Sequence, residues 1–424
     1  MPPKRHPHHR AAVRAGVLTA TRVRTAALLL AAVLGLAPLQ LATAARPIRS
    51  APAATGPSAY GLTAYGPTAY APAQRGPVAW PAPPGLVDSR LLVSNGDPEK
   101  RINLILVGDG YTAAELPRYR NQAAAVWQAL TQVEPFHSYQ RFFDVTRVDL
   151  VSPVSGLHPG SPLGMHFGCD GLARLLCADE GAVGHYTAGY GGSHRYVVAL
   201  ANSDSYGGEG GGGLATLAAG SPEAARIVQH ELGHSVGALG DEYDAAPADA
   251  GYPNLSGADA ATMRRERVKW WRWLGAADPT GGTVGAYPTG NGLYRPTRDS
   301  IMRTLGEVYN LPSREALIES LYRQVRPVDA AEPAPGLVSG RPWLRVRPVP
   351  LAGSRQLVVS WLVDGRPAPA AAVAGDRLDT GRLGLGPGRW ADVSAVVQDT
   401  TPWLRDEEFR RTRMTARVSW AVQG

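Results

Sequence analysis

The most informative segment of the sequence is Ser221-Pro222-Glu223-Ala224-Ala225-Arg226-Ile227-Val228-Gln229-His230-Glu231-Leu232-Gly233-His234. Ser221 is a suitable N-cap, Pro222 suits the first position of a helix, and Gly237 is a suitable stop, so the stretch predicts a helix. Residues four positions apart on a helix lie on the same face. The side chains of His230 and His234 would therefore project side by side.

The H-E-x-x-H pattern within this stretch indicates a metal site. Two imidazoles at this spacing suit a single zinc ion, bound through nitrogen atoms. Glu231 follows His230 but points off the shared face, so it would act as general base on a zinc-activated water rather than bind the metal. We therefore predict zinc-dependent hydrolysis of peptide bonds, with His230 and His234 as ligands. A core helix with two hydrogen-bonded histidines and a surface glutamate is the alternative.

A catalytic zinc site needs a third protein ligand. Gly237 stands where metzincins have their turning glycine, but Gly240 stands where they have a third histidine. The next residue, Asp241, offers a carboxylate oxygen, and we predict it as the third ligand. Glu242 and a residue distant in the sequence remain alternatives. A further interpretation is that Asp241 and Glu242 form an acidic helix start or part of a calcium loop.

Several separated blocks of sequence resemble the bacterial IgA-peptidase family of zinc endopeptidases. These blocks are LILVGDGYTAAEL from Leu104, FGCDGLARLLC from Phe167, YGGEGGGG from Tyr206, HELGHSVGALGDEY from His230, ERVKWWRWLGA from Glu266 and YRPTRDSIMR from Tyr294. The resemblance covers about residues 86–325 and implies a zincin-like, metzincin-like domain that cuts peptide bonds. It does not imply immunoglobulin as the substrate, because the family name reflects one specialised member.

The segment Ser300-Ile301-Met302-Arg303 resembles the methionine turn beneath the metal of metzincin-like enzymes. The resemblance implies that Met302 packs under the zinc as structural support, with ordinary core packing as the alternative. Many such turns place a tyrosine two residues after the methionine, where this chain has Thr304. A tyrosine near the metal would then come from elsewhere, with Tyr294 and Tyr309 as candidates.

A glycine-rich segment, Tyr206-Gly207-Gly208-Glu209-Gly210-Gly211-Gly212-Gly213, precedes the H-E-x-x-H helix. In zincins, an edge strand above the metal pairs with an extended substrate chain. The glycines would give the rim of such a strand room to admit a substrate. A flexible loop without this role is the alternative.

The basic residues concentrate at the start of the 424-residue chain, whose formal net charge is +7. Six of the 43 Lys and Arg residues, and no Asp or Glu, lie in residues 1–44, which leaves 37 basic residues against 36 acidic ones in the rest. No strong positive field remains to attract polyanions, so no nucleic-acid partner is expected.

Residues 1–44 are typical of a signal peptide. A basic start leads into an apolar run and then into Ala42-Thr43-Ala44, which has the small-x-small form of a cleavage site. The apolar run is shorter than the ~20 residues needed to span a bilayer, although an uncleaved anchor is the alternative. After cleavage we expect no stable membrane insertion. Residues 45–85, rich in Pro, Ala, Gly and Tyr, are predicted to form a linker.

The chain has two cysteines, Cys169 and Cys177. In an exported protein such a pair predicts a disulfide, with two buried thiols as the alternative.

Apolar runs alternate with helical segments over residues 86–330, which predicts an α/β domain. The family resemblance makes this domain zincin-like. After Arg326, short β-prone runs separated by Gly and Pro predict a C-terminal all-β, sandwich-like module over residues 331–424.

These features together predict a secreted or extracellular zinc metalloendopeptidase that acts on a protein or peptide substrate. The sequence leaves open the identity of that substrate, association with the cell wall and the oligomeric state. Two other functions remain as alternatives: a cell-surface binding protein with a vestigial zinc site, and a hydrolase of wall peptides.

Overall fold

A computed structural model describes residues 85–244, 249–340, 342–353 and 355–424. The predicted signal peptide, and the predicted linker up to residue 84, lie outside these ranges. Within them, no helix is both long enough and apolar enough to cross a membrane.

The region before residue 328 is built around one large sheet. Its strands are β1 (Leu86–Val93), β2 (Ile102–Asp109), β3 (Phe143–Leu150), β4 (His166–Phe167), β5 (Leu176–Cys177), β6 (His194–Ala201), β7 (Gly208–Gly211), β8 (Leu214–Ala218), β9 (Tyr287–Pro288) and β10 (Tyr294–Arg295). Six of them form the sheet in the order β1-β3-β2-β6-β8-β7. The four inner strands run parallel, whereas β1 and β7 pair antiparallel at the two edges.

Helices connect these strands. They are α1 (Leu116–Leu130), α2 (Phe136–Tyr139), α3 (Glu180–Thr187), α4 (Ala224–Gly237), α5 (Ala260–Glu266) and α6 (Leu311–Gln324). The order of strands and helices confirms a mixed α/β architecture. The H-E-x-x-H pattern lies on α4, which follows β8 directly in the chain and lies against the edge strand β7.

The central strand β2 shows how the sheet is covered on both faces. All eight of its residues are buried, as expected for an inner parallel strand. Leu104 and Leu106 belong to a core that includes residues of α1, α4 and α6. Ile105 and Val107 belong to a second core, formed with residues between 148 and 218. Because successive side chains of a strand point to opposite faces, the helices that carry the candidate site pack on one face.

The strand β2 ends in Asp109, which lies in one of the sequence blocks that resemble the IgA-peptidase family. Its buried carboxylate accepts hydrogen bonds from Ser161 Oγ at 2.7 Å and from the backbone N–H groups of Leu163 and Met165 at 2.9 and 3.0 Å. This residue therefore fixes the loop after β3 against the end of the sheet.

The C-terminal region is strand-rich. Its elements are β11 (Val328–Glu332), β12 (Gly336–Val338), β13 (Trp343–Pro348), β14 (Val358–Val363), β15 (Arg366–Pro367), β16 (Val373–Ala374), β17 (Arg377–Asp379), β18 (Trp390–Gln398), α7 (Glu407–Arg413) and β19 (Thr415–Gln423). They form two sheets, β11-β13-β17-β16 and β12-β19-β18-β14-β15, whose buried residues share one core. The prediction of an all-β module was wrong in one respect, because α7 lies between β18 and β19.

Buried polar contacts join the C-terminal region to the rest of the chain. One carboxylate oxygen of Asp399 accepts hydrogen bonds from the hydroxyls of Tyr139 and Tyr322, both at 2.7 Å. Arg101 pairs with Asp329 through two hydrogen bonds of 2.7 and 2.6 Å. The strand β11 spans the predicted boundary between residues 330 and 331. The division into two domains therefore stays a prediction.

Candidate metal centre

The helix α4 begins and ends close to the predicted positions. It starts at Ala224, so the prediction that Ser221 is its N-cap was wrong. Ser221 instead stabilises a preceding turn, where its Oγ accepts from the Glu223 N–H at 3.3 Å and its carbonyl oxygen accepts from the Ala224 N–H at 3.0 Å. The helix ends at Gly237, as predicted, because Ala238 adopts a left-handed conformation with φ of 49°.

The two histidines of α4 are oriented by backbone carbonyl groups. His230 Nδ1 lies 2.9 Å from the Ile301 oxygen, and His234 Nδ1 lies 2.6 Å from the Leu239 oxygen. A carbonyl oxygen only accepts, so the proton of each neutral ring belongs on Nδ1 and the lone pair on Nε2. The two Nε2 atoms are 3.1 Å apart and present their lone pairs to one point.

Asp241 meets this point from the other side. Its Oδ1 lies 3.0 Å from His230 Nε2 and 3.3 Å from His234 Nε2. The imidazoles hold the pKa of Asp241 below its ordinary value, although burial alone would raise it. Oδ1 is buried and has no hydrogen-bond partner among the described residues. Two nitrogen lone pairs and an unsatisfied carboxylate oxygen thus converge, and this donor set fits a divalent zinc ion.

Glu242 lies elsewhere, although it is the next residue. Its fully buried carboxylate accepts hydrogen bonds from Ser300 Oγ at 2.7 Å, Asn254 Nδ2 at 2.9 Å and Asn310 Nδ2 at 3.1 Å. Burial raises its pKa to about 7. Its backbone N–H donates to the Met302 oxygen at 2.8 Å. The structure therefore places Asp241 beside the histidines and Glu242 in a buried network beneath them.

The side chain of Glu231 extends from α4 towards the edge strand β7. Its side chain is nearly buried, and burial raises its pKa, although the two histidines lower it. A Cβ atom added to Gly208 would lie 3.1 Å from Glu231 Oε1, and one added to Gly210 would lie 2.9 Å from Oε2. Glycine at these two positions allows the strand to pass directly against the carboxylate. Ligand atoms of His230, Glu231 and His234 lie within 4.8 Å of one another.

Replacing Gly210 by Ala is expected to lower the activity predicted for this site by about 10²-fold, because it would displace the predicted base Glu231, and misplacement of a reacting group by about 1 Å has an effect of that size. The added methyl group would clash with both Glu231 Oε2 and the Glu231 carbonyl oxygen, which α4 holds in place. Gly211→Ala is the matched control, since a Cβ there meets no atom within 4 Å. Steady-state rates of the two variants test this, and equal losses in both would contradict it.

The comparison with known families agrees with this geometry. Residues 91–282 match the family model described as IgA peptidase M64. This part of the chain is similar to the IgA peptidase M64 family. The match confirms the resemblance found in the sequence, and it includes α4 and Asp241. Since M64 peptidases are metallopeptidases, the match indicates a peptidase that acts on proteins or peptides. No curated protein matches the chain.

Met302 lies just beyond the M64 match, and it packs directly against α4. Its side chain is fully buried, and a Cβ atom added to Gly233 would lie 2.7 Å from its sulfur. Gly233, which directly precedes His234, has no Cβ atom, so the Met302 sulfur can approach the helix at this position. This position agrees with a supporting role for Met302, which stays a prediction.

A tyrosine does lie beside the candidate metal centre, but it is neither Tyr294 nor Tyr309, the two candidates named from the sequence. The Tyr309 hydroxyl donates to the Gln229 carbonyl oxygen inside the core. Tyr243 instead donates to Asp241 Oδ2 at 2.7 Å. Burial, followed by the Asp241 charge, raises the pKa of Tyr243 to about 12, so its hydroxyl keeps the proton it donates. Its place two residues after Asp241 was the sequence signal that we missed.

The predicted disulfide between Cys169 and Cys177 is confirmed, with an S–S distance of 1.99 Å. It closes the hairpin of β4 and β5 beside the candidate metal centre. A cavity of about 240 Å³ opens above His230 and Glu231. Its wall includes Arg174, Tyr206, Ile227, Tyr243, Arg303 and Leu305. Arg174 belongs to the disulfide hairpin and Arg303 to the turn of Met302, and neither was predicted as a site residue.

Proposed function

We propose that the chain is an exported, zinc-dependent endopeptidase with a zincin-like catalytic domain. His230, His234 and Asp241 hold the zinc, and Glu231 is the general base. The observation that carries this proposal is the convergence of His230 Nε2, His234 Nε2 and Asp241 Oδ1, with Glu231 beside them. The M64 match supports peptidase activity, and the cavity above the site supports access for a substrate.

Two nitrogen donors and one carboxylate oxygen favour zinc over calcium or magnesium as the bound ion. Catalytic zinc sites use three protein ligands of this kind and keep a further position open, whereas calcium and magnesium prefer sites made of oxygen. The Nδ1 bonds to Ile301 and Leu239 fix both rings, as partners outside the ligand set commonly do. When bound, zinc supplies a Lewis acid that polarises a carbonyl group and makes a water molecule more acidic.

Glu231 would move the proton. In its ionised form the carboxylate takes a proton from the attacking water, and it then passes this proton to the amine that leaves. Burial raises the pKa of Glu231, so the protonated form costs less there than it would in water. The short distance between β7 and the carboxylate supports this role, because a substrate paired with β7 would lie close to Glu231.

The edge strand β7 gives the substrate a place to bind. It pairs with β8 on one side, and no described strand pairs with its other side. An extended peptide could add to this free edge through backbone hydrogen bonds, and its scissile bond would then pass over Glu231. Such binding uses the backbone of the substrate, so any preference for particular side chains would come from the cavity beside the strand.

Export is the part of the proposal that rests most on the sequence. The basic start, the apolar run and the Ala42-Thr43-Ala44 pattern support a cleaved signal peptide. The Cys169–Cys177 disulfide supports an oxidising, extracellular location.

Removing the metal should abolish the activity. The purified chain, beginning after Ala44, is expected to contain about one zinc per molecule and to cleave an unfolded protein. A strong chelator should stop cleavage, and added zinc should restore it, whereas added calcium should not. Fragment formation on gels and metal content by atomic absorption measure both effects. Stoichiometric zinc without cleavage of any unfolded protein or wall peptide would favour the binding-protein alternative.

A further inference from the structure

We propose that the cavity above the metal centre selects substrates with an acidic side chain next to the scissile bond, and that Arg303 is the residue that recognises it. This inference rests on the proposed function, because it names the substrate class of the same site. The cavity places two guanidinium groups, those of Arg174 and Arg303, in the wall above His230 and Glu231.

Arg303 is an arginine whose hydrogen-bonding capacity is largely unused. It follows Met302 directly, so the turn beneath the metal centre sets its position. Its Nε is buried and has no hydrogen-bond partner among the described residues. Its nearest carboxylate partner, Asp299, lies 3.9 Å away, which is long for a direct hydrogen bond. The side chain is 34% exposed and lines the cavity, so a carboxylate in the cavity would pair with its terminal Nη groups.

Arg174 adds a second positive charge to the same wall. Its Nη2 donates to the Tyr243 hydroxyl at 3.1 Å, and its guanidinium lies 5.7 Å from the centre of the Tyr243 ring. No described carboxylate forms an ion pair with it. The hairpin closed by Cys169 and Cys177 carries Arg174, which limits how far it can move. Through Tyr243 it also holds Asp241, so Arg174 acts as a positioning residue as well.

The size and lining of the cavity favour a single carboxylate-bearing side chain. About 240 Å³ is less than the roughly 300–1,000 Å³ of sites for whole small molecules, but it accommodates one side chain. Ile227 and Leu305 supply apolar walls beside the two guanidinium groups, and a charge-assisted hydrogen bond to either guanidinium is stronger than a neutral one. The planar guanidinium of Arg303 can bind a carboxylate through two parallel hydrogen bonds. Glu or Asp next to the scissile bond would provide this carboxylate.

The test uses a peptide library made from a whole proteome and the zinc-loaded chain. The wild type is expected to cleave peptides with Glu or Asp next to the scissile bond about tenfold more often than those with Gln or Asn, as one charge-assisted hydrogen bond contributes about this factor. Arg303→Gln should remove this preference, and Arg303→Lys should retain part of it. Arg298→Gln is the matched control, since it removes an exposed charge from the same segment. Mass spectrometry identifies the cleavage sites.

A binding measurement separates this inference from the proposed function. The Glu231→Gln variant, immobilised with zinc, should capture acidic peptides from the same library about tenfold more than their amide counterparts. The double variant with Arg303→Gln should not, while it keeps its Tm and zinc content. Acidic enrichment without cleavage by the wild type would sink the proposed function and leave the inference standing. Cleavage without acidic preference, or equal losses in Arg298→Gln and Arg303→Gln, would overturn the inference alone.

Discussion

Replacing Glu231 by Gln is expected to lower kcat/KM by about 10²–10⁴-fold, the usual contribution of a general base, while zinc content stays unchanged. Gln has the same shape as Glu and fits against Gly208 and Gly210, but it cannot accept the proton of the attacking water. The two histidines and Asp241 keep their positions, because none of their contacts involves the Glu231 carboxylate. Hydrolysis of an unfolded protein and metal analysis measure the two quantities.

Glu223→Gln provides the control for this variant. Glu223 lies just before the same helix, and its carboxylate forms an exposed pair with Arg226 at 2.9 Å. Loss of such a surface pair should change stability and activity little. Retained turnover in Glu231→Gln would show that another group takes the proton. Loss of zinc together with activity would instead assign a structural role to the carboxylate.

The parts of the fold set by local patterns were predictable from the sequence. The run from Ile102 to Val107 predicts a buried strand, and it is one, because an inner parallel strand is apolar on both faces. His230 and His234 could be placed on one face because their spacing along a helix fixes it. The disulfide could be predicted because only one pairing of the two cysteines exists.

The contacts between distant segments could not be predicted in this way. Glu242 accepts hydrogen bonds from Asn254, Ser300 and Asn310. These residues lie in separate segments of the chain, and only folding brings them together. Arg303 and Arg174 share one cavity although they are far apart in the sequence. The helix start was misplaced because Ser221 has the right residue type for a cap, but the chain makes one more turn before Ala224.

Asp241 and Glu242 should respond differently to substitution, because Asp241 faces the two histidines whereas Glu242 accepts hydrogen bonds in a buried network. Asp241→Ala removes the oxygen that faces both histidines. We expect this variant to bind zinc more than about 100-fold more weakly. Groups that only support a metal ligand typically contribute a smaller factor, roughly 10–100-fold. The Asp241→Ala variant should still fold, because the Asp241 side chain makes one other polar contact, with Tyr243. His234→Ala should cause a comparable loss of zinc and serves as the reference.

Glu242→Ala is expected to act on stability first. It removes the buried acceptor of three hydrogen bonds and leaves Ser300, Asn254 and Asn310 without it, which costs about 3 kcal/mol or more. For a domain of this size the Tm should fall by roughly 6–12 °C. Zinc titration and thermal unfolding of both variants and of His234→Ala separate the two roles. Near-normal zinc affinity in Asp241→Ala, with loss of zinc at an unchanged Tm in Glu242→Ala, would show that Glu242 and not Asp241 holds the metal.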